Sequence, residues 1–305
     1  MTPGMLLRIC LLALFTTHLY AQSDVGRVLP AAKPLHVLAF GDFGSGNKQQ
    51  RVTAAAMQKR HLEVPYDLGI TLGDNFYRCG VRGTDDKKWK LRWEDIYTPM
   101  GIPFYASLGN HDYGHPFIIC PMFQGSPDAQ VAYTQLSASW RMPARYYTYV
   151  AGPARFIAID TEGWSEEQLS WLEKVLKDSQ DEPGVRWRIV YGHHPMYSSG
   201  HHANERRIGV LRKVFVPLFQ KYHVDLYIAG HDHSLERLEY QGLNLIIAGG
   251  GGARLRFMTG SKKESRFGLV TNGFLELTID ETSLKAQFYD PQLKPLDEHP
   301  LVLKR

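Results

Sequence analysis

Five times along this chain an apolar run ends in a glycine that is followed by acid, amide, tyrosine or histidine side chains. In order, the segments are Gly41-Asp42-Phe43-Gly44, Gly73-Asp74-Asn75-Phe76-Tyr77, Gly109-Asn110-His111-Asp112, Gly192-His193-His194-Pro195 and Gly230-His231-Asp232-His233. The stretches before them, residues 36–40, 68–72, 104–108, 188–191 and 226–229, are short and strand-like. A strand that delivers polar residues at its carboxyl end points them at one edge of a sheet, where open α/β proteins build their sites. Any fold for this chain has to bring five strand ends together.

Between these strands lie helical patterns over residues 48–61, 86–97, 165–179 and 210–222. Ser165 followed by Gln168 makes a capping box for the third. The alternation argues for α/β architecture with substantial parallel sheet. After residue 234 the pattern changes to short strands, 237–240, 244–248, 273–279 and 283–289, joined by turns such as Gln241-Gly242 and Asp280-Glu281-Thr282. They are expected to finish a second sheet as a meander, giving a four-layer α/β/β/α sandwich of two mixed sheets flanked by helices. Residues 113–129, with three prolines and two glycines, follow the third motif and are expected to form a rim of the site.

The first residues read differently. Arg8, an apolar core over 9–15 and Ala21 have the pattern of a signal peptide spanning residues 1–21. Residues 22–35, with Pro30 and Pro34, read as an extended lead-in, and 36–305 as the catalytic domain. The apolar run is too short to span a bilayer and no later stretch does so. The expectation is a secreted or periplasmic protein with no membrane span. A net charge of +4 without a basic patch argues against nucleic acid as a partner and mildly favours anionic substrates. Cys79 and Cys120 each lie just past a candidate motif. In an exported protein they can pair; two buried free thiols are the other reading.

The donor types define the chemistry. An oxygen-rich set with some imidazole suits Fe(III), Mn(II), Zn(II) or Fe(II) better than copper or an iron–sulfur cluster. Asp74 has two carboxylate oxygens and can bridge two ions, Asn110 offers an amide oxygen, and His193 an imidazole. His231 and His233 are two apart, so on extended backbone both face one side and can serve adjacent metals. The glycine before each motif is expected to let the chain turn sharply. Each motif alone reads as an ordinary turn, and His193, His194, His201 and His202 alone as a nonspecific metal-binding tract. Five in order, each behind a strand, outweigh those readings. Two metals sharing a carboxylate are machinery for hydrolysing phosphoesters.

On these residues the chain resembles the metallophosphoesterase superfamily and, within it, the purple acid phosphatases. Asp42-Phe43-Gly44 has glycine where the wider superfamily has a metal-binding histidine, and Tyr77 follows Asp74 at the position of the purple enzymes' tyrosinate. Asp86-Lys87-Lys88-Trp89, Trp93-Glu94-Asp95-Ile96-Tyr97 and Ala129-Gln130-Val131-Ala132-Tyr133 are also similar to the mammalian tartrate-resistant branch. The likeness covers residues 36–290. It implies a calcineurin-like fold, with Fe(III) held by Asp42, Tyr77, His233 and bridging Asp74. A divalent Fe, Zn or Mn ion would be held by Asp74, Asn110, His193 and His231. The family's catalytic outer-sphere histidines map onto His111, with Asp112 expected to orient its ring, and onto His202, with His201 the adjacent alternative. The implied function is an acid phosphatase that hydrolyses the monoesters of small phosphorylated substrates with a metal-bound hydroxide nucleophile. His202, with His111, would hold the phosphate and protonate the leaving group. A phosphodiesterase or nucleotidase of the same superfamily is the nearer alternative, and a non-catalytic exported binding protein the farther one. Residues 115–128 and His194, which stands where the mammalian branch has tyrosine, depart from the family around the rim.

Overall fold

The computed structural model describes residues 22–30, 33–114, 120, 125–259 and 262–305. The expected signal segment and most of the expected rim, 115–119 and 121–124, lie outside the described residues. The strand-like runs form two mixed sheets. One has seven strands in the order β15 (Leu301–Lys304), β14 (Ser283–Tyr289), β13 (Phe274–Ile279), β2 (Leu35–Phe40), β3 (Leu68–Leu72), β4 (Phe104–Ser107) and β5 (Trp140–Arg141). The other has eight: β1 (Gln22–Leu29), β6 (Tyr146–Ala151), β7 (Ala154–Ala158), β8 (Trp187–Tyr191), β9 (Leu226–Ala229), β11 (Leu243–Ala248), β10 (Leu235–Tyr240) and β12 (Ser265–Leu269).

Alternation along the eight-stranded sheet builds two cores. Ile189, Tyr191, Leu226, Ile228 and Ile246 join a core with Val37, Ala39 and Ile70 of the other sheet, whereas Phe104 turns away to pack on Phe40, Trp93 and Tyr97. Val190, Tyr227, Leu245 and Ile247 turn the other way, against Leu172 and Leu176 of one helix and Leu211, Phe215 and Phe219 of another. Four helices are described: α1 (Lys48–Glu63), α2 (Pro127–Tyr133), α3 (Glu166–Asp178) and α4 (Arg206–Lys221). Ala54 and Met57 of α1 are buried in the same continuous apolar cluster as the seven-stranded sheet. The result is the expected helix–sheet–sheet–helix sandwich.

Several expectations change. The strands after residue 234 do not finish one sheet. β11 pairs parallel with β9, so the β10–β11 hairpin extends the eight-stranded sheet, whereas β13 pairs antiparallel with β2. A period of two is the same in either sheet, so the pattern cannot say which one a short strand joins. The hairpin turn is the predicted Gln241-Gly242, both at positive φ, as a tight antiparallel turn requires. The lead-in is in part a strand, β1, paired parallel with β6. Residues 86–97 form no regular α-helix but wind through a π turn at Lys90–Glu94, and a 3-10 turn follows at Thr98–Met100. Trp89, Trp93 and Tyr97 are all buried there among Phe43, Phe104 and Trp140, and packing overrides helical propensity. Arg92 on that turn donates to the carbonyls of Gly44 and Tyr77, tying the first two motifs together. Only half of the capping box forms. Ser165 accepts from Gln168 N, but the Gln168 side chain turns instead to the backbone of Asp160. Cys79 and Cys120 are disulfide-bonded, which settles the alternative left open above.

Candidate metal centre

The five motifs meet at one edge. Asp42 follows β2, Asp74 and Tyr77 follow β3, and Asn110 follows β4, all in the seven-stranded sheet. His193 follows β8, and His231 and His233 follow β9, in the other. The turns work differently from the sequence expectation. Of the five leading glycines only Gly73 has positive φ. The left-handed residues are instead Asp42 (φ 57°), Asp74 (φ 52°) and His231 (φ 69°). Such conformations cost on the order of 1–3 kcal/mol each and persist where the surroundings hold them. Here Asp42 N donates to Gly73 O (3.1 Å) and His231 N to Asp42 Oδ2 (2.8 Å). The glycines serve close approach: a Cβ on Gly109 would lie 2.3 Å from Asp74 N, and one on Gly73 2.7 Å from His193 Nδ1.

The side chains gather in two clusters. In the first, the Tyr77 hydroxyl is 3.0 Å from Asp42 Oδ1 and 3.0 Å from His233 Nε2, and His233 Nε2 is 3.4 Å from Asp42 Oδ1. In the second, His193 Nε2 is 3.0 Å from Asn110 Oδ1 and 3.2 Å from His231 Nδ1. Asp74 stands between them, Oδ1 3.5 Å from His193 Nε2. His231 is left-handed, so it and His233 do not share one extended face as expected; each ring faces its own cluster.

The outward nitrogens fix the tautomers. His193 Nδ1 donates to Leu72 O (2.8 Å), His233 Nδ1 to Arg254 O (2.6 Å) and His231 Nε2 to the Glu205 carboxylate (3.1 Å). Those partners only accept, so in the neutral rings the inward nitrogens are bare lone pairs. The His193 and His231 lone pairs then face each other and the Asn110 oxygen, an arrangement a cation would stabilise. Burial works against charge on His193, yet Asp74 and Asp42 beside it raise its pKa. Burial likewise opposes ionisation of Asp74, but His193 and His111 hold it down to about 2.

Around this centre the predicted catalytic histidines are both present. His111 Nδ1 lies 2.5 Å from Arg78 O, and its Nε2 points toward Asp74 Oδ2 at 3.9 Å. Asp112 does not orient it, contrary to expectation. That buried carboxylate is occupied by the N–H groups of Asn75, Phe76 and Gly109. The loop carrying His201 and His202 is drawn back by buried Asp232, which accepts from Ser198 Oγ and His202 N. His202 thereby lies against His231, ring centroids 4.3 Å apart and tilted by 37°, while His201 is exposed and faces Phe257. Glu205, not foreseen, accepts from His202 Nδ1 and His231 Nε2 together. Burial opposes it, but the two imidazoles hold its carboxyl well below the usual range. Its only sequence signal is an acid three residues after His202, within reach of the same loop. His194 is buried behind the site between Thr161 and Glu162, and burial pushes its pKa far down.

Residues 35–235 match the family model for calcineurin-like phosphoesterases. The chain is 28% identical over 304 residues to purple acid phosphatase 3 of Arabidopsis thaliana, covering 92% of this chain and 81% of that one. It is 29% identical over 280 residues to tartrate-resistant acid phosphatase type 5 of Rattus norvegicus, covering 80% and 79%. Two solved structures share the fold. A purple acid phosphatase from yellow lupin (Lupinus luteus) seeds aligns with TM-score 0.72 and 22% identity, over 90% of this chain and 55% of that one. GAP50, the anchor in the inner membrane complex of Plasmodium, aligns with TM-score 0.73 and 23% identity, over 90% of each.

Proposed function

Because the chain belongs to the calcineurin-like phosphoesterases, we propose that it is an exported acid phosphatase of the purple type, acting on monoesters of small phosphorylated substrates. The observation that carries this is the convergence of inward-facing ligand atoms on His193: its Nε2 lies 3.0 Å from Asn110 Oδ1 and 3.2 Å from His231 Nδ1. The residues fit two metals. Asp42, Tyr77 and His233 would hold Fe(III), Asn110, His193 and His231 a divalent Fe, Zn or Mn ion, and Asp74 both. When bound, such a pair neutralises phosphate oxygens and acidifies the attacking water. The protein's own part is positioning and proton transfer. His202 is tethered through Nδ1 to Glu205, so Nε2 is the atom that would deliver a proton to the leaving alkoxide. His111, tethered to Arg78 O, would present Nε2 to a phosphate oxygen.

The likeness to an anchor protein concerns the fold, and one fold hosts unrelated functions. A full donor set favours catalysis over a binding role. Hydrolysis of bis(p-nitrophenyl) phosphate against the monoester separates a diesterase from a monoesterase. No described helix is long and apolar enough to cross a membrane. The deciding experiment is elemental analysis with a visible spectrum. Tyrosinate on Fe(III) should tint the oxidised protein purple or pink, and Tyr77→Phe should abolish the band. A colourless, iron-free and fully active enzyme would falsify the purple reading.

A further inference from the structure

A file of rings leads out of the site. From His231 to His202 the centroids step 4.3 Å, from His202 to His201 4.9 Å, and from His201 to Phe257 5.0 Å. The file starts at a candidate metal ligand and ends at a phenylalanine that is 65% exposed. Phe257 is the one aromatic among the large apolar side chains left exposed in the described residues. A single exposed apolar side chain is ordinary on a protein surface; what sets Phe257 apart is its place at the end of this file, against His201 and beside the loop of His202.

The segment that carries Phe257 is anchored at both ends. Ala253 N donates to Asp42 O (2.7 Å), and Arg254 O accepts from His233 Nδ1 (2.6 Å). Thr259 N donates to Ser199 O (2.8 Å) and its hydroxyl contacts Gly200 O (3.2 Å). It therefore runs from the first cluster to the loop of His201 and His202. The neighbouring Met258 has a packing role, since a Cβ on Gly268 would meet its Cε at 2.7 Å. Phe257 packs edge-to-face on His201 at 78°. Arg254 and Arg256, exposed and without an acid partner among the described residues, keep the rim positive. They suit any phosphate and do not choose what it is esterified to; the ring can.

We infer that Phe257, with His201, is a specificity subsite for the aromatic ring of an aryl phosphate leaving group. This rests on the phosphatase reading. The test is calorimetric titration of the metal-loaded protein with phenylphosphonate and methylphosphonate, neither of which can be hydrolysed as an ester. Kinetics on phenyl phosphate and glycerol 2-phosphate run alongside. Phe257→Ala should weaken phenylphosphonate by about two- to tenfold, the size of one aromatic pair, and leave methylphosphonate unchanged. The same factor should appear on phenyl phosphate, chiefly in KM, and Phe257→Trp should retain binding. Equal effects on both phosphonates, no effect on either, or binding of neither by the unaltered protein overturns the subsite. If the unaltered protein binds both but hydrolyses neither ester, the phosphatase reading fails while the titration still decides the subsite.

Discussion

The two sheets contribute opposite chemistry. Every oxygen donor, Asp42, Asp74, Tyr77 and Asn110, comes from a strand end of the seven-stranded sheet; every imidazole, His193, His231 and His233, comes from the eight-stranded one. The two sets are also held by opposite means. Carboxylates are fixed by N–H groups, Asp42 by His231 N and Asp74 by His111 N. Imidazoles are fixed by acceptors, the carbonyls of Leu72 and Arg254 and the carboxylate of Glu205. Neither sheet owns a site. Each cluster is completed only across the seam, so ions bound there would clamp the sheets to one another.

The largest expected effect breaks that clamp. Stripping the metals with a chelator should abolish activity and lower Tm by roughly 10–20 °C. Two ions held at about 100 times their Kd contribute roughly 5 kcal/mol together, and a chain of this size shifts about 2–4 °C per kcal/mol. An unchanged Tm after complete metal removal would mean that the seam is held by apolar packing alone.

Next is a group on the eight-stranded side that lies outside the proposed ligand set. His202→Ala should lose about 10²–10⁴-fold on an alkyl phosphate with both metals retained, and less on p-nitrophenyl phosphate, whose leaving group needs little help. His201→Ala, altering a ring that faces the rim, should lose far less on the alkyl ester. The reverse pattern would exchange their roles.

The smallest effect sharpens the contrast. Glu205→Gln keeps the shape but can accept from only one of the two rings. Divalent affinity should fall about 10–100-fold, as for other outer partners of ligating histidines, while the iron content and the colour stay. Loss of iron as well would show that the two clusters are not separable in this way.

Much of this was legible because the oxygen and nitrogen donors lie in runs of two to four residues directly behind apolar strands, where side-chain type and position coincide. His111 and His202 could be named but not oriented. Their partners are Arg78 O, a carbonyl that every residue type carries, and Glu205, an acid that looks like any other at the start of a helix. Asp112, the obvious neighbour for His111, was already committed to three backbone N–H groups. Sheet membership of β10 to β15 was illegible for a related reason: alternation reports two faces but not which neighbour pairs along the edge. The aromatic run Trp89, Trp93 and Tyr97 carries helical spacing, and only the surrounding rings decide that it winds as a wider turn.

The left-handed backbone at Asp42, Asp74 and His231 bears on how the chain can drift. At such positions glycine, asparagine and aspartate are tolerated, and β-branched or bulky residues are not. At the two aspartates, a single change that spares the backbone therefore leads to asparagine or glycine, which keeps the fold and weakens or deletes a ligand. Copies of this domain that have lost catalysis should remain well folded and carry those replacements first. A survey for Asn or Gly at positions 42 and 74 in otherwise intact chains is thus a way to recognise former enzymes that have become binding proteins.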